Sequence, residues 1–134
     1  MCVFCEIIAG RSKAEIVLDE EKLMAFLDVR PVFPGHVPVV PKQHHETLLD
    51  LPNEMLDPIF GATKRIAAAI EKGLGADGSW VAINNRVSQT VPHLHVHVVP
   101  RRKGDGLKGF FWPRVKYREG EMEEMGEKIR RGVT

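Results

Sequence analysis

The 134-residue sequence has little of several things: two cysteines, one tyrosine, two tryptophans and almost no net charge. Nineteen Lys and Arg face 18 Asp and Glu, for a formal charge of +1. That balance excludes a global field that gathers nucleic acid or an anionic membrane, so any anion must be held by a local site. No apolar run is long enough to span a bilayer. The opening residues, Met1-Cys2-Val3-Phe4-Cys5-Glu6, lack the basic-then-apolar order of a secretory signal, and the expected compartment is the cytoplasm. Cys2 and Cys5 are too close in sequence for a disulfide that would close a useful loop. Their spacing reads as half of a metal site or as a redox pair.

What is present is an ordinary globular composition, 43% hydrophobic and 28% charged. The length suits a single domain, 1–134, that can bury its own core. No repeat or low-complexity tract divides it. Residues 3–10 read as a short helix ending at Gly10. Residues 15–19 and 23–27 read as two strands around an acidic turn, and 36–40 as a strand closed by Pro41. Residues 52–74 carry Met55, Ile59, Ile66, Ile70 and Leu74 near helical spacing, with Pro58 in the first turns and glycines at the end. Residues 80–84 and 93–100 read as strands joined by a link too short for a helical crossover, hence antiparallel. Together these predict an α+β domain: an antiparallel sheet of about five strands, one long helix and short terminal helices.

The informative segment is His93-Leu94-His95-Val96-His97-Val98-Val99-Pro100. Read as a strand, it puts three imidazoles on one face and Leu94, Val96 and Val98 on the other. Imidazole serves as nucleophile, acid, phosphate donor or metal ligand near neutral pH. Asn84, Asn85, Ser88, Gln89 and Thr90 place neutral donors just upstream. From the residues alone, catalysis, a plain metal clip and chance all remain open.

The segment resembles the signature of the histidine triad family, in which histidines alternate with apolar residues. The likeness extends in order along the chain: Cys2 to Ile8, Phe26-Leu27-Asp28, Pro34-Gly35-His36, Val39 to His44, and Gln89-Thr90-Val91. The start resembles the histidine triad nucleotide-binding branch. The resemblance implies that His95 is the nucleophile on a nucleotide α-phosphate and that His97 bonds the phosphate and leaving group. It implies that Ser88, Gln89, Thr90 and Asn84 (in preference to Asn85) lie at the phosphate, and that Asp28 holds the ribose. Phe4, Ile7, Phe26 and Leu27 are expected to line a base cleft. No cofactor is implied for catalysis. A structural zinc on Cys2, Cys5, His44 and His93 is expected, with His45 as a rival to His44; His36 is left as structural or surface.

Two departures stand out. Relatives usually carry glycine before the glutamine where this chain has Ser88, which narrows the backbone geometry open to that position, and the loop is shorter than the glycine-rich version. The implied partners are a purine nucleotide or nucleotide conjugate and a second copy in a homodimer, with neither nucleic acid nor membrane. The implied activity is a phosphoramidase or nucleotidyl hydrolase. The alternatives are a dinucleoside polyphosphate hydrolase, which Pro100-Arg101 and Lys103-Gly104-Asp105 resemble, and a zinc-stabilised nucleotide sensor. Residues 101–134 form a tail with a basic half, an acidic half and an aromatic segment, Phe110 to Trp112, expected in the core, at a dimer contact or as a lid.

Overall fold

The structure is a computed structural model, and residues 2–107 and 114–133 are described from it. The Phe110–Trp112 segment lies outside the described residues. Two compact units divide the chain, 1–103 and 104–134.

The first unit is an α+β domain. Helix α1 (Val3–Ile8) is followed by strands β1 (Ile16–Asp19), β2 (Leu23–Phe26) and β3 (Val37–Pro41). Helix α2 (Leu56–Leu74) then leads to β4 (Gly78–Ala82) and β5 (Val96–Arg101). The five strands form one antiparallel sheet in the order β1-β2-β3-β5-β4. Every residue of β2 and β3 is buried because both sheet faces are covered. On one face Ala25, Val39, Leu94, Val96 and Val98 pack under Ile59, Ala62, Ile66 and Ile70 of α2. On the other, Met24, Phe26 and Val40 pack with Phe4 and Ile7 of α1. The period-two alternation of strand side chains decides which residue joins which core.

The apolar residues of α2 recur at i, i+3, i+7 and i+11 from Ile59, the stripe a helix lays on a sheet. Gly75, at φ 66°, ends the helix in the left-handed conformation that glycine adopts without strain. The helix was expected from residue 52, but Asn53–Met55 is a 3-10 turn. The ring of Pro58 crowds the carbonyl four residues back and offers it no N–H, so the α-helical ladder starts later.

The strand boundaries also differ from expectation, by one residue in β1, β2 and β3 and by more in β4 and β5. β4 runs from Gly78 to Ala82 rather than from residue 80 to 84, because it follows β5 out to Arg101. β5 begins at Val96, so His93, Leu94 and His95 precede the ladder. Leu94 instead donates its N–H to the His45 carbonyl at 2.6 Å, and His93 donates to Val91 at 2.8 Å. The faces nonetheless hold: Leu94 is in the α2-side core, while His93 and His95 meet Phe4 on the α1 side.

The second unit holds α3 (Glu121–Val133), none of whose residues is buried. Among the described residues no helix is long and apolar enough to cross a membrane.

Candidate functional site

His95 sits where α1 and the entry to β5 meet. The edge of Phe4 stands against its ring at 5.0 Å between centroids, and the His97 ring lies at 4.6 Å. That is closer than the ~6–7 Å of successive same-face residues in a flat strand, because His95 precedes the regular ladder. The side chain is 4% exposed. Its Nδ1 lies 2.7 Å from the His93 carbonyl oxygen. A carbonyl only accepts, so Nδ1 carries the proton and Nε2 the lone pair. No hydrogen bond engages Nε2 among the described residues, and no buried side-chain nitrogen or oxygen lacks a partner. Nε2 is therefore not completely buried, in a residue that is 4% exposed overall. Burial holds the imidazole below its ordinary pKa, and the His93 carbonyl and Asp28 oppose this only in part.

His97 is oriented by a residue that the sequence left as structural. Val32 donates its N–H to His36 Nδ1 at 3.1 Å, so neutral His36 carries its proton on Nε2. That Nε2 lies 2.9 Å from His97 Nδ1 and donates to it. His97 must then carry its own proton on Nε2. Asp28 Oδ2 lies 3.7 Å from His36 Nε2, and Oδ1 accepts the Arg30 N–H at 2.8 Å. His36 is lowered chiefly by burial. His97 is lowered to about 4, first by burial, then by His95 and His36. The Pro34-Gly35-His36 motif drew attention to this stretch, but only the pairing of Pro38 with His97 across β3 and β5 reveals the contact.

Asp28, His36 and His97 lie close enough together to hold a metal ion. The Val32 N–H argues for a hydrogen-bonded relay instead, since it keeps the proton on the His36 nitrogen that would ligate. Cys2, Cys5, His44 and His93 make a different kind of cluster. His93 Nε2 donates to the Pro41 carbonyl at 2.8 Å, which leaves Nδ1 a lone pair. That Nδ1 lies 3.1 Å from His44 Nδ1, 3.5 Å from Cys2 Sγ and 3.6 Å from Cys5 Sγ; Cys5 Sγ lies 3.3 Å from His44 Nδ1. A tetrahedral zinc with nitrogen at ~2.0–2.1 Å and sulfur at ~2.3 Å has ligand-to-ligand edges of about 3.3–3.8 Å. These four separations, 3.1 to 3.6 Å, run from slightly below that range into it, and both thiols are free of a disulfide. His45 is not in the set. Burial raises the Cys5 thiol and lowers His93.

The loop ahead of the triad is held by side chains. Asn85 Oδ1 accepts the Leu48 N–H at 2.9 Å. Gln89 accepts the Arg86 N–H at 2.8 Å and donates to the Glu46 carbonyl at 2.6 Å, so both ends of its amide shape the loop. Arg86 and Ser88 adopt φ of 69° and 60°, the left-handed region that favours glycine. Ser88, Thr90 and Asn84 are exposed. The apolar cleft was expected to include Leu27, but Leu27 packs on the α2 side. It follows Phe26 and so points the other way; Phe4, Ile7 and Phe26 are together and buried.

The family model of the HIT domain matches residues 9–104. A HIT-like protein of Methanocaldococcus jannaschii is 42% identical over 108 residues, 79% of this chain and 83% of its own length. An adenylylsulfatase of Arabidopsis thaliana is 32% identical over 79% of this chain, and an asymmetrical bis(5'-nucleosyl)-tetraphosphatase of Schizosaccharomyces pombe is 40% identical over 60%. This chain spans 55% and 46% of those two. Among solved structures, a HIT family protein of Bacillus anthracis superposes with a TM-score of 0.87 at 31% identity, covering 99% of this chain and 97% of that one. A Zn-bound histidine triad family protein of Mycobacterium smegmatis superposes at 0.76 with 41% identity, covering 91% and 88%.

Proposed function

The chain belongs to the HIT domain family, and on that footing we propose that it is a nucleotide-binding phosphoramidase or nucleotidyl hydrolase. Its substrates on this reading are purine nucleoside phosphoramidates or related nucleotide conjugates. One observation carries the proposal: the backbone assigns complementary tautomers to two touching rings. His95 presents a bare Nε2 and His97 presents an Nε2–H, because the His93 carbonyl and the Val32–His36 relay occupy their other nitrogens.

The lone pair of His95 Nε2 attacks the α-phosphorus, and the bond to the leaving group breaks. Water then cleaves the nucleotidyl-histidine, which divides one hard displacement into two easier ones. The Nε2–H of His97 bonds the oxygen or leaving atom on which charge develops. Low pKa values suit this division, since a neutral His95 is nucleophilic and a neutral His97 keeps its donor in place. Ser88, Thr90 and Asn84 offer donors to the phosphate, with Gln89 holding the loop that carries them. Asp28 accepts from the ribose hydroxyls.

Zinc on Cys2, Cys5, His44 and His93 belongs to the same proposal. It supplies no chemistry to the reaction; it ties the N-terminus and α1 to the residue two before the nucleophile. Assembly as a homodimer is also part of this reading.

Incubation with a radiolabelled adenosine phosphoramidate, quenched in milliseconds, is expected to leave label on the wild-type chain and none on His95→Ala. Equal labelling of the two proteins would refute the assignment. The same assay with a diadenosine polyphosphate distinguishes the second hydrolase reading, which the fission-yeast relative favours.

A further inference from the structure

Residues 42–55 link β3 to α2 as irregular chain with two 3-10 turns, Leu48–Asp50 and Asn53–Met55. Peptide groups outside a helix or sheet still need partners. Three in this link find theirs at the triad and its loop. The His45 carbonyl accepts the Leu94 N–H at 2.6 Å, the Glu46 carbonyl accepts the Gln89 side-chain amide at 2.6 Å, and the Leu48 N–H donates to Asn85 Oδ1 at 2.9 Å.

The first of these bonds reaches the nucleophile. The Leu94 N–H and the His93 carbonyl belong to one planar peptide group. His45 therefore fixes one end of a plane whose other end accepts the His95 Nδ1–H and sets the tautomer of that ring. The other two bonds reach the phosphate loop. Its Arg86 and Ser88 stand at φ 69° and 60°, conformations that persist where the surroundings enforce them.

Thr47 lies between the Glu46 carbonyl and the Leu48 N–H, and it is 1% exposed. Its N–H and its hydroxyl both donate to Asp50 Oδ2 at 2.9 Å, and the Asp50 N–H returns to the Thr47 carbonyl at 3.1 Å. The backbone bond first, and then the hydroxyl bond, hold the Asp50 carboxyl below its ordinary pKa. The acceptor is thus a carboxylate, and both bonds to it are charge-assisted.

We infer that Thr47 and Asp50 are positioning residues for the reaction, locking the link that holds the His93–Leu94 peptide and the phosphate loop. The inference rests on the hydrolase reading and extends it to two residues outside every motif in the sequence. They act through His45, Glu46 and Leu48. Small displacements are enough to matter, since about 1 Å at the reacting atoms costs on the order of 100-fold in rate.

The test compares wild type, Thr47→Val, Thr47→Ser and Asp50→Ala by single-turnover labelling with adenosine phosphoramidate, calorimetric binding of AMP, and amide hydrogen exchange. Asp50 is exposed, so its replacement leaves neither a cavity nor a buried charge. Thr47→Val and Asp50→Ala are expected to label about tenfold or more slowly. AMP affinity stays unchanged, because Phe4, Ile7 and Phe26 are untouched. The Leu94 and Leu48 amides exchange faster in both. Thr47→Ser keeps the hydroxyl and restores wild-type behaviour in all three measurements, and the Thr47→Val/Asp50→Ala chain is no slower than Asp50→Ala alone. Wild-type labelling and exchange in Asp50→Ala, or a parallel loss of AMP affinity, would overturn the inference and leave the hydrolase reading standing. A wild-type chain that takes up no label would overturn both.

Discussion

Titrating the folded protein from pH 8 to pH 4 is expected to leave His97 neutral over most of the range. Burial holds it down, with His95 and His36 adding to the effect, so its pKa falls from 6.5 to about 4. The hydrogen bonds point the same way. An extra proton on the His36–His97 pair must sit either on His97 Nδ1, facing the His36 Nε2–H, or on His36 Nδ1, facing the Val32 N–H. Both positions set hydrogen against hydrogen. The gap between 6.5 and about 4 is worth ~3 kcal/mol, or roughly 300-fold in protonation at a given pH. The unfolded chain takes up this proton near 6.5 and the folded chain near 4, so between those values the unfolded state holds more protons. The contribution to stability is thus complete above pH 6.5 and is lost progressively as pH falls towards 4. Proton NMR of the imidazole ring hydrogens, assigned with His97→Gln, reads the midpoint directly, and denaturant melts at each pH read the linked stability. The acid limb of kcat/KM follows below pH 6. A His97 midpoint at 6 or above, with flat stability from pH 6.5 to 4.5, would show that the relay does not resist protonation.

Three further outcomes follow from the geometry. Cys5→Ser is expected to reduce bound zinc from about one per chain by elemental analysis and to lower the Tm; unchanged metal content would remove Cys5 from the site. Gly35→Ala is expected to destabilise the fold by about 1–3 kcal/mol in denaturant melts. At φ +99° a Cβ would stand 2.5 Å from Leu74 Cδ1 and 3.0 Å from Pro100 Cγ, and an unaltered midpoint would contradict that crowding. Gln89→Ala frees the Arg86 N–H and the Glu46 carbonyl at an exposed loop, so stability should fall by less than about 1 kcal/mol. Its kcat/KM should fall about tenfold as the left-handed loop loses its clamp, and kinetics matching wild type would show that the loop holds its shape without it.

The sheet was legible because its evidence is periodic. Met24, Ala25 and Phe26 alternate between two cores, as do Val39 and Val40, and α2 repeats its apolar residues at helical spacing. Boundaries were legible only where a local cause acts at the boundary itself, as at Gly75. Pro58 was visible, but its effect falls on the turn before it, and the start of β5 depends on hydrogen bonds that Leu94 and His93 make elsewhere. Leu27 was misassigned because a motif shared with Phe26 says nothing of which face each side chain takes.

The candidate site shows a deeper limit. His36, His93, His95 and His97 are chemically one residue type, and the sequence distinguishes them only by position. What separates them is the backbone group that occupies one ring nitrogen of each. A carbonyl from Pro41 leaves His93 Nδ1 open towards the cysteines; a carbonyl from His93 leaves a lone pair on His95 Nε2. An N–H from Val32 does the reverse to His36, which turns that ring into a donor and sets His97 in its turn. Carbonyl partners thus create ligands and nucleophiles, whereas an amide partner creates a relay. Those carbonyls and amides belong to segments 2, 4 and 52 residues away in the chain, so a reading of the triad by its spacing locates the chemistry without assigning the protons that perform it.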